Sequence, residues 1–229
     1  MDWRAAIKRT VPPFILNNAF LALPVLYRSR IVNYETNISA DGIADLTSQL
    51  GLVLELAGHI VECGSSRCGA SVIMANYLRS RSAFKAIYAC DSFAGFDLEE
   101  LRRERVGGLT TAPESAFTST SYGYVQKKIR KLGVADIIVP IRGFFQDTLP
   151  HIHSSFCFAL IDCDLRQSVI YCAESIWPNL VSKGRILFDD YASRDFKGAR
   201  LGIEQFICEH SNEIEEHGLL KRLYMVRKA

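Results

Sequence analysis

Four aspartates stand directly after two apolar runs of the chain, where carboxylates could gather around one ligand. Asp162 and Asp164 follow one run, and Asp189 and Asp190 follow the other. If the runs form neighbouring parallel strands, their ends lie about 4.8 Å apart. Like charges this close raise one another's pKa unless a cation lies between them. Oxygen ligands favour Mg²⁺ before Ca²⁺ or Mn²⁺. The alternative is that these aspartates only cap the helices that follow.

A glycine-containing turn earlier in the chain is a second candidate. It reads Glu62-Cys-Gly-Ser-Ser-Arg-Cys-Gly69 and follows an apolar run. Positions 66 and 68 are Ser and Cys, whereas the motif G-x-G-x-x-G has glycines. This turn is therefore less suited than that motif to binding the pyrophosphate of a dinucleotide. The charge of Glu62 repels a phosphate and suits a cationic group, such as the ammonium of a methionine derivative. The alternative is a simple tight turn between a strand and a helix.

An acidic residue at the next predicted strand end points to a ribose. Asp91 lies 27 residues after Gly64, and an acidic side chain there accepts hydrogen bonds from ribose hydroxyls. NAD and S-adenosylmethionine share this requirement, so Asp91 supports an adenosine ligand without choosing between them. The alternative is a solvent-facing aspartate that caps a turn.

The elements that must position these residues alternate along the chain. Apolar runs predict strands at 59–63, 85–90, 137–141, 156–161, 185–188 and 219–226. Helical spacing predicts helices at 39–57, 68–80, 119–132, 167–180 and 198–209. This order is typical of an α/β fold with a doubly wound, mostly parallel sheet. The polar segment 97–118 is expected to be flexible. This segment and the apolar stretch 11–27 are expected either to cover the acceptor site or to form the contact of a homodimer, and both alternatives stay open.

Composition excludes several classes of protein. The 229 residues are 48% hydrophobic and 23% charged, with a net charge of +2, which indicates one ordinary globular domain and argues against nucleic-acid binding. Stretch 11–27 is broken by prolines, so neither a membrane span nor a signal peptide is expected. The seven cysteines lack CxxC spacing and are interpreted as reduced, packed thiols of a cytoplasmic protein.

No histidine is predicted to lie at the carboxyl ends of the strands. A general base must then come from the carboxylates or from a lysine. Tyr124 and Lys128 have the YxxxK spacing of short-chain dehydrogenases, but they fall too early in the chain for that role. They are interpreted as part of a solvated helix face.

Six segments together resemble the macrocin O-methyltransferase-like family (TylF, MycF and NovP relatives), which are metal-dependent class I methyltransferases. They are VECGSSRCGAS, ACDSFAGF, RGFFQDTLP, ALIDCDLRQS, GRILFDDYAS and GARLGIEQF. The resemblance implies a seven-stranded Rossmann-like sheet. It predicts an N-terminal arm and helix over 1–57 and a methyltransferase domain over 58–229. Two departures, in the first turn and after Asp164, put the family's substrate pocket in doubt.

The resemblance also implies a set of site residues. Mg²⁺ is expected on Asp162, Asp189 and Asp190, and Asp162 or Asp164 is expected to accept the proton. The residues expected to contact S-adenosylmethionine are Glu62, Cys63, Gly64, Ser65, Gly69, Ser71, Asp91, Ser92, Ser121, Phe144, Phe145 and Asp162.

The predicted activity is therefore methyl transfer to a hydroxyl of a small molecule, such as a sugar or a natural-product glycoside. Two alternatives from other classes stay open. One is an NAD-dependent oxidoreductase, and the other is a non-catalytic interaction protein that keeps the fold.

Overall fold

The computed structural model describes residues 36–229, so the predicted apolar arm at 11–27 lies outside the described residues. Strands and helices alternate along the described chain, as predicted. The strands are β1 (His59–Cys63), β2 (Ile87–Asp91), β3 (Ile138–Arg142), β4 (Phe156–Ile161), β5 (Leu180–Phe188), β6 (Ile214–Leu219) and β7 (Tyr224–Lys228). The helices are α1 (Ala40–Gly51), α2 (Gly69–Ser80), α3 (Leu98–Val106), α4 (Tyr122–Lys131), α5 (Phe145–Thr148), α6 (Arg166–Ile176) and α7 (Lys197–Glu209).

The strands form one seven-stranded sheet in the order β3-β2-β1-β4-β5-β7-β6. The first five strands in this order, from β3 to β5, are parallel to one another. Strand β7 runs antiparallel to both β5 and β6. The chain winds outward in one direction from β1 to β3 and in the other from β4. The carboxyl ends of β1 and β4 therefore border the crevice where an open α/β sheet binds its ligand. This confirms the predicted doubly wound fold.

Both faces of the sheet are covered by helices. On one face, α1 adds Leu46 and Leu50 to the same apolar cluster as Met74 of α2. On the other, α6 and α7 pack around Trp177 and Phe206. Residues 36–57 thus share a core with the rest of the sheet, and a domain boundary at residue 57 stays a prediction.

Two further features concern the predicted cysteines and the membrane. All seven cysteines are free, and six are buried, as predicted; Cys208 is exposed. Among residues 36–229, no helix has the length and apolar character needed to cross a bilayer.

The prediction of a single last strand at 219–226 is wrong. The segment contains a hairpin in which Leu219 of β6 pairs with Tyr224 of β7. β6 lies at the edge of the sheet, and most of its side chains are exposed. An exposed edge strand does not need an apolar run, so the sequence carries little signal for it.

The prediction that segment 97–118 is flexible is wrong for α3. Two of its acidic side chains bind the first turn of α6, whose N-cap residue Leu165 supplies no side-chain hydrogen bond. Glu104 Oε1 accepts from Arg166 N at 2.5 Å, and Glu100 Oε1 accepts from Ser168 N at 2.9 Å. These carboxylates satisfy amide groups that a helix start leaves without a partner. They attach α3 to the helix that begins just after Asp164.

The ends of β1 and β4 approach each other too closely for any side chain at Gly64. Asp162 N donates to Cys63 O at 2.9 Å, which joins the two strand ends. Gly64 has φ +87°, and a Cβ there would lie 1.8 Å from the carbonyl oxygen of Asp162. Glycine is therefore required both by the backbone angle and by the contact.

We expect Gly64→Ala to lower the free energy of unfolding by about 3 kcal/mol or more, because positive-φ strain and a backbone clash add together. Gly133→Ala is the matched control, since Gly133 has φ +67° with no atom within 4 Å of the added Cβ; it should cost about 1 kcal/mol. Urea denaturation measures both. Equal losses in the two variants would contradict the requirement for close approach.

Candidate functional site

A cavity of about 310 Å³ lies at the carboxyl ends of the central strands. It brings together the turn after β1, the end of β2 and the two aspartate pairs, which the sequence predicted separately. The predicted site residues that line it are Glu62, Gly64, Ser65, Gly69, Asp91, Ser92, Phe144, Phe145, Asp162, Asp164, Asp189 and Asp190. No histidine is among its lining residues in the described chain, as expected.

Three predicted cofactor-binding residues do not line the cavity. Cys63 is fully buried below the turn. Ser71 is also fully buried and donates to Glu62 from beneath. Ser121 caps α4, where its Oγ accepts from Tyr124 N at 3.3 Å. Cys63 and Ser71 therefore support the site from below, and Ser121 belongs to a helix start.

Glu62 is a buried carboxyl group that faces the cavity. Its side chain accepts a hydrogen bond from Ser71 Oγ. Burial raises the pKa of Glu62 to about 8, and the negative charge of Asp91 adds to the shift, although the hydrogen bond from Ser71 opposes it. Such a group is ready to ionise beside a cationic ligand.

Asp91 orders the turn that follows β1. Its two carboxylate oxygens accept from Ser66 N at 2.8 Å and from Phe93 N at 2.6 Å. Burial raises the pKa of Asp91, and these two hydrogen bonds oppose the shift. The carboxylate therefore connects the turn after β1 to the loop after β2 and still lines the cavity.

A second support of the turn corrects the interpretation of Lys128. Its side chain is 1% exposed, and Nζ donates to Arg67 O at 2.6 Å. Tyr124 is likewise buried. The prediction of a solvated face for this pair is wrong, because α4 packs these long side chains against the turn and the sheet.

The first turn of α2 opens toward the cavity. The preceding residue, Cys68, adopts a left-handed conformation and makes no side-chain cap. Gly69 and Ala70 line the cavity, so free amide groups at the positive end of a helix dipole face the ligand space. This arrangement suits an anionic group such as a carboxylate.

Three carboxylates meet beside this turn. One oxygen each of Asp162, Asp164 and Asp190 lies within 4.8 Å of the others. Burial raises the pKa of Asp162, and the charges of Asp189 and Asp190 raise it further. Burial also raises the pKa of Asp190 to about 6. The shifts show like charges held together, and a cation placed among them would relieve the repulsion.

Asp189, predicted as a metal ligand, lies beside an arginine that the sequence did not reveal. Arg222 Nη1 is 2.8 Å from Asp189 Oδ1, but that buried oxygen has no hydrogen bond within the described chain. Arg222 stands in the β6–β7 turn, where its backbone N donates to Asp45 Oδ2 at 2.7 Å. Its two partners, Asp189 and Asp45, lie 33 and 177 residues away in the chain. No local sequence pattern could therefore predict that Arg222 belongs to the site.

Three phenylalanines from loops also line the cavity. Phe96, Phe117 and Phe196 line it together and contact one another through their rings. They come from three loops and were also missed, because a single phenylalanine in a polar segment has no periodic pattern to identify it.

Comparisons with known proteins identify the family of this chain. Residues 43–217 match the family model described as macrocin-O-methyltransferase (TylF). The chain is 27% identical over 172 residues to 8-demethyl-8-(2,3-dimethoxy-alpha-L-rhamnosyl)-tetracenomycin-C 4'-O-methyltransferase of Streptomyces olivaceus. That match covers 66% of this chain and 62% of the relative, so the chain spans less than two thirds of the length of the curated relative it matches.

Two solved structures share the fold. The O-methyltransferase NovP superposes with a TM-score of 0.73 and 18% identity, over 85% of this chain and 82% of NovP. The calicheamicin methyltransferase CalS11 is described as a TDP-rhamnose 3'-O-methyltransferase. It superposes with a TM-score of 0.66 and 18% sequence identity, over 94% of this chain and 91% of CalS11.

Proposed function

The chain belongs to the macrocin-O-methyltransferase family, and we propose that it transfers a methyl group from S-adenosylmethionine to a hydroxyl of a small glycoside. One observation carries the proposal: Glu62 and Asp91, on neighbouring strands, line the same cavity as Asp162, Asp164 and Asp190. A donor site and a carboxylate site thus adjoin. Methyl transfer between two bound molecules requires this proximity.

The residues of the first turn fit the donor. In the proposed arrangement, Glu62 faces the ammonium group of the methionine part, and the first amides of α2 face its carboxylate. The carboxylate of Asp91 receives the ribose hydroxyls, and Phe144 or Phe145 lies beside the adenine. Gly64, where a Cβ would clash with the carbonyl of Asp162, lets the turn lie directly against the end of β4 and so beside the carboxylates.

The carboxylates fit Mg²⁺. The donor set is all oxygen, burial and then the neighbouring negative charges raise its pKa values, and Asp189 Oδ1 is buried without a hydrogen bond in the described chain. The oxygens that lie within 4.8 Å of one another belong to Asp162, Asp164 and Asp190, whereas the resemblance implied Asp162, Asp189 and Asp190. We propose Mg²⁺ on the latter set, with Arg222 as the counter-charge of Asp189. S-adenosylmethionine supplies the electrophilic methyl group, and Mg²⁺ supplies positive charge that lowers the pKa of an acceptor hydroxyl.

Asp164 is the proposed proton acceptor. It shares a hydrogen bond with Asp190, and burial together with the charge of Asp190 raises its pKa well above the ordinary value. A carboxylate with a raised pKa is a stronger base than an ordinary one once it is ionised. Its φ of +62° turns the chain sharply between β4 and α6 and brings the side chain back to the cavity.

The donor proposal predicts that Asp91→Asn weakens binding of S-adenosylhomocysteine at least tenfold, since the variant loses the charge that the ribose hydroxyls require. Asp136→Asn is the control, because Asp136 is exposed in an ion pair with Arg79 and should bind normally. Calorimetry with S-adenosylhomocysteine and with NAD measures both ligands. Tighter binding of NAD by the unaltered protein would favour an oxidoreductase and overturn the proposal.

The pKa of Glu62 predicts how donor binding depends on pH. The free site holds Glu62 protonated below pH 8, and a bound ammonium group favours the ionised form. The affinity for S-adenosylhomocysteine should therefore rise between pH 6 and pH 8, by up to about tenfold per pH unit. Glu62→Gln should flatten this profile. An unchanged profile in the variant would show that another group titrates.

The division of roles among the aspartates predicts two different defects. Asp189→Asn should weaken Mg²⁺ binding more than tenfold by calorimetry and keep S-adenosylhomocysteine binding. Asp164→Asn should keep both ligands and lower kcat at least about 100-fold, in the range of general-base contributions. The reverse result, with Mg²⁺ binding lost only in Asp164→Asn, would place Asp164 among the metal ligands instead. Full activity of the unaltered protein in EDTA would overturn the metal assignment.

The remaining expectations stay predictions. They are a cytoplasmic location, the absence of nucleic-acid partners and the choice between a lid and a homodimer contact for the N-terminal residues.

A further inference from the structure

We propose that Phe96, Phe117 and Phe196 form an aromatic wall that binds the aryl part of an uncharged glycoside, so that the enzyme selects such acceptors over nucleotide-linked sugars. The inference rests on the proposed methyl transfer and names the substrate class for that site. The term "aromatic wall" is used below for these three residues.

The aromatic wall is a continuous surface. The rings of Phe96 and Phe117 meet edge to face at 5.1 Å between centroids, and those of Phe96 and Phe196 at 5.8 Å. Phe117 and Phe196 are tilted by 38° at 6.4 Å. Phe117 remains 38% exposed. Rings in these arrangements still offer edges and faces to a further planar group.

Backbone contacts hold the aromatic wall in place. Thr110 forms an antiparallel bridge with Phe196, and Lys197 N donates to Leu109 O at 3.0 Å. Gly95, with φ +95°, has no room for a Cβ, which would lie 2.8 Å from Ala116 O. The three loops therefore lock together, and the rings are ordered before an acceptor arrives.

The aromatic wall faces the same cavity as the carboxylates. Phe196 lies six residues after Asp190, and both line the cavity. In the proposed arrangement, an acceptor that places two adjacent hydroxyls at the carboxylates lies in the same cavity as the rings, and its remaining substituent contacts them. A planar apolar substituent matches this surface, because it removes the exposed area of Phe117 from water.

Charge argues against a nucleotide-linked sugar. The cavity is lined by eight acidic side chains and only two arginines. Arg222 pairs with Asp189, and Arg67 donates to Ser119 Oγ at 2.9 Å. A diphosphate would find no further cationic side chain among the described lining residues, because both arginines already have partners. An uncharged glycoside needs no such cation.

The experiment compares three acceptor probes in the presence of S-adenosylhomocysteine and Mg²⁺. They are 4-nitrophenyl α-L-rhamnoside, methyl α-L-rhamnoside and TDP-rhamnose, and calorimetry measures their binding. We expect the aryl glycoside to bind at least tenfold more tightly than the methyl glycoside, and TDP-rhamnose to bind more weakly than the aryl glycoside.

The variants test whether the aromatic wall is responsible. Phe117→Ala should reduce the aryl-over-methyl ratio of affinities to below about threefold. Phe117→Leu keeps apolar bulk without a ring and should lower the ratio in part, which covers the case in which the alanine variant does not fold. Phe84→Ala is the control, because Phe84 is 97% exposed and does not line the cavity.

Three results would overturn the aromatic wall: equal binding of the two glycosides, an unchanged ratio in both Phe117 variants, or tighter binding of TDP-rhamnose. Failure of every rhamnoside to bind, with S-adenosylhomocysteine and Mg²⁺ still bound, would also overturn it but leave the proposed methyl transfer intact. Failure of S-adenosylhomocysteine itself to bind would instead overturn the proposed function.

Discussion

The site depends on one close approach, that of the turn after β1 to the end of β4. Gly64 lies against the carbonyl of Asp162, where no side chain fits, and Asp162 N donates to Cys63 O. This contact joins the proposed donor turn to the proposed metal carboxylates at the point where the strand order reverses. Glu62 and Asp162 therefore share a cavity, and the positions of the other site residues follow from the strands on either side.

Such proximity concentrates negative charge, and the surrounding structure limits its cost in three ways. Two backbone amides donate hydrogen bonds to the carboxylate of Asp91. Ser71 donates one to Glu62, and Arg222 forms an ion pair with Asp189. The three aspartates at the ends of β4 and β5 keep raised pKa values nonetheless. This state is consistent with the proposed ligands, because a cation in the cavity would relieve the repulsion among these carboxyl groups. Both proposed ligands, a sulfonium amino acid and Mg²⁺, carry positive charge.

The sequence predicted the parts of the fold that buried strands specify. β4 is an uninterrupted apolar run and β1 is mostly apolar, and the bounds of both were predicted to the residue. The carboxylates were found because each follows such a run. The sequence failed where structure depends on distant partners: α3 has few apolar residues and is stabilised through Glu100 and Glu104, and edge strand β6 has no apolar run. Arg222 and the aromatic wall were missed because contacts between loops leave no periodic trace.

The same division separates what is fixed in this enzyme from what is adaptable. The floor of the cavity is built from strand ends, whose positions are determined by hydrogen bonding across the sheet and tolerate little change. The aromatic wall comes from loops that only need to meet at Gly95 and at the bridge between Thr110 and Phe196. Loop side chains can therefore change without displacing the strand ends. This construction fits the proposed methyl transfer, in which the strand ends hold the donor and the metal and the loops contact the acceptor.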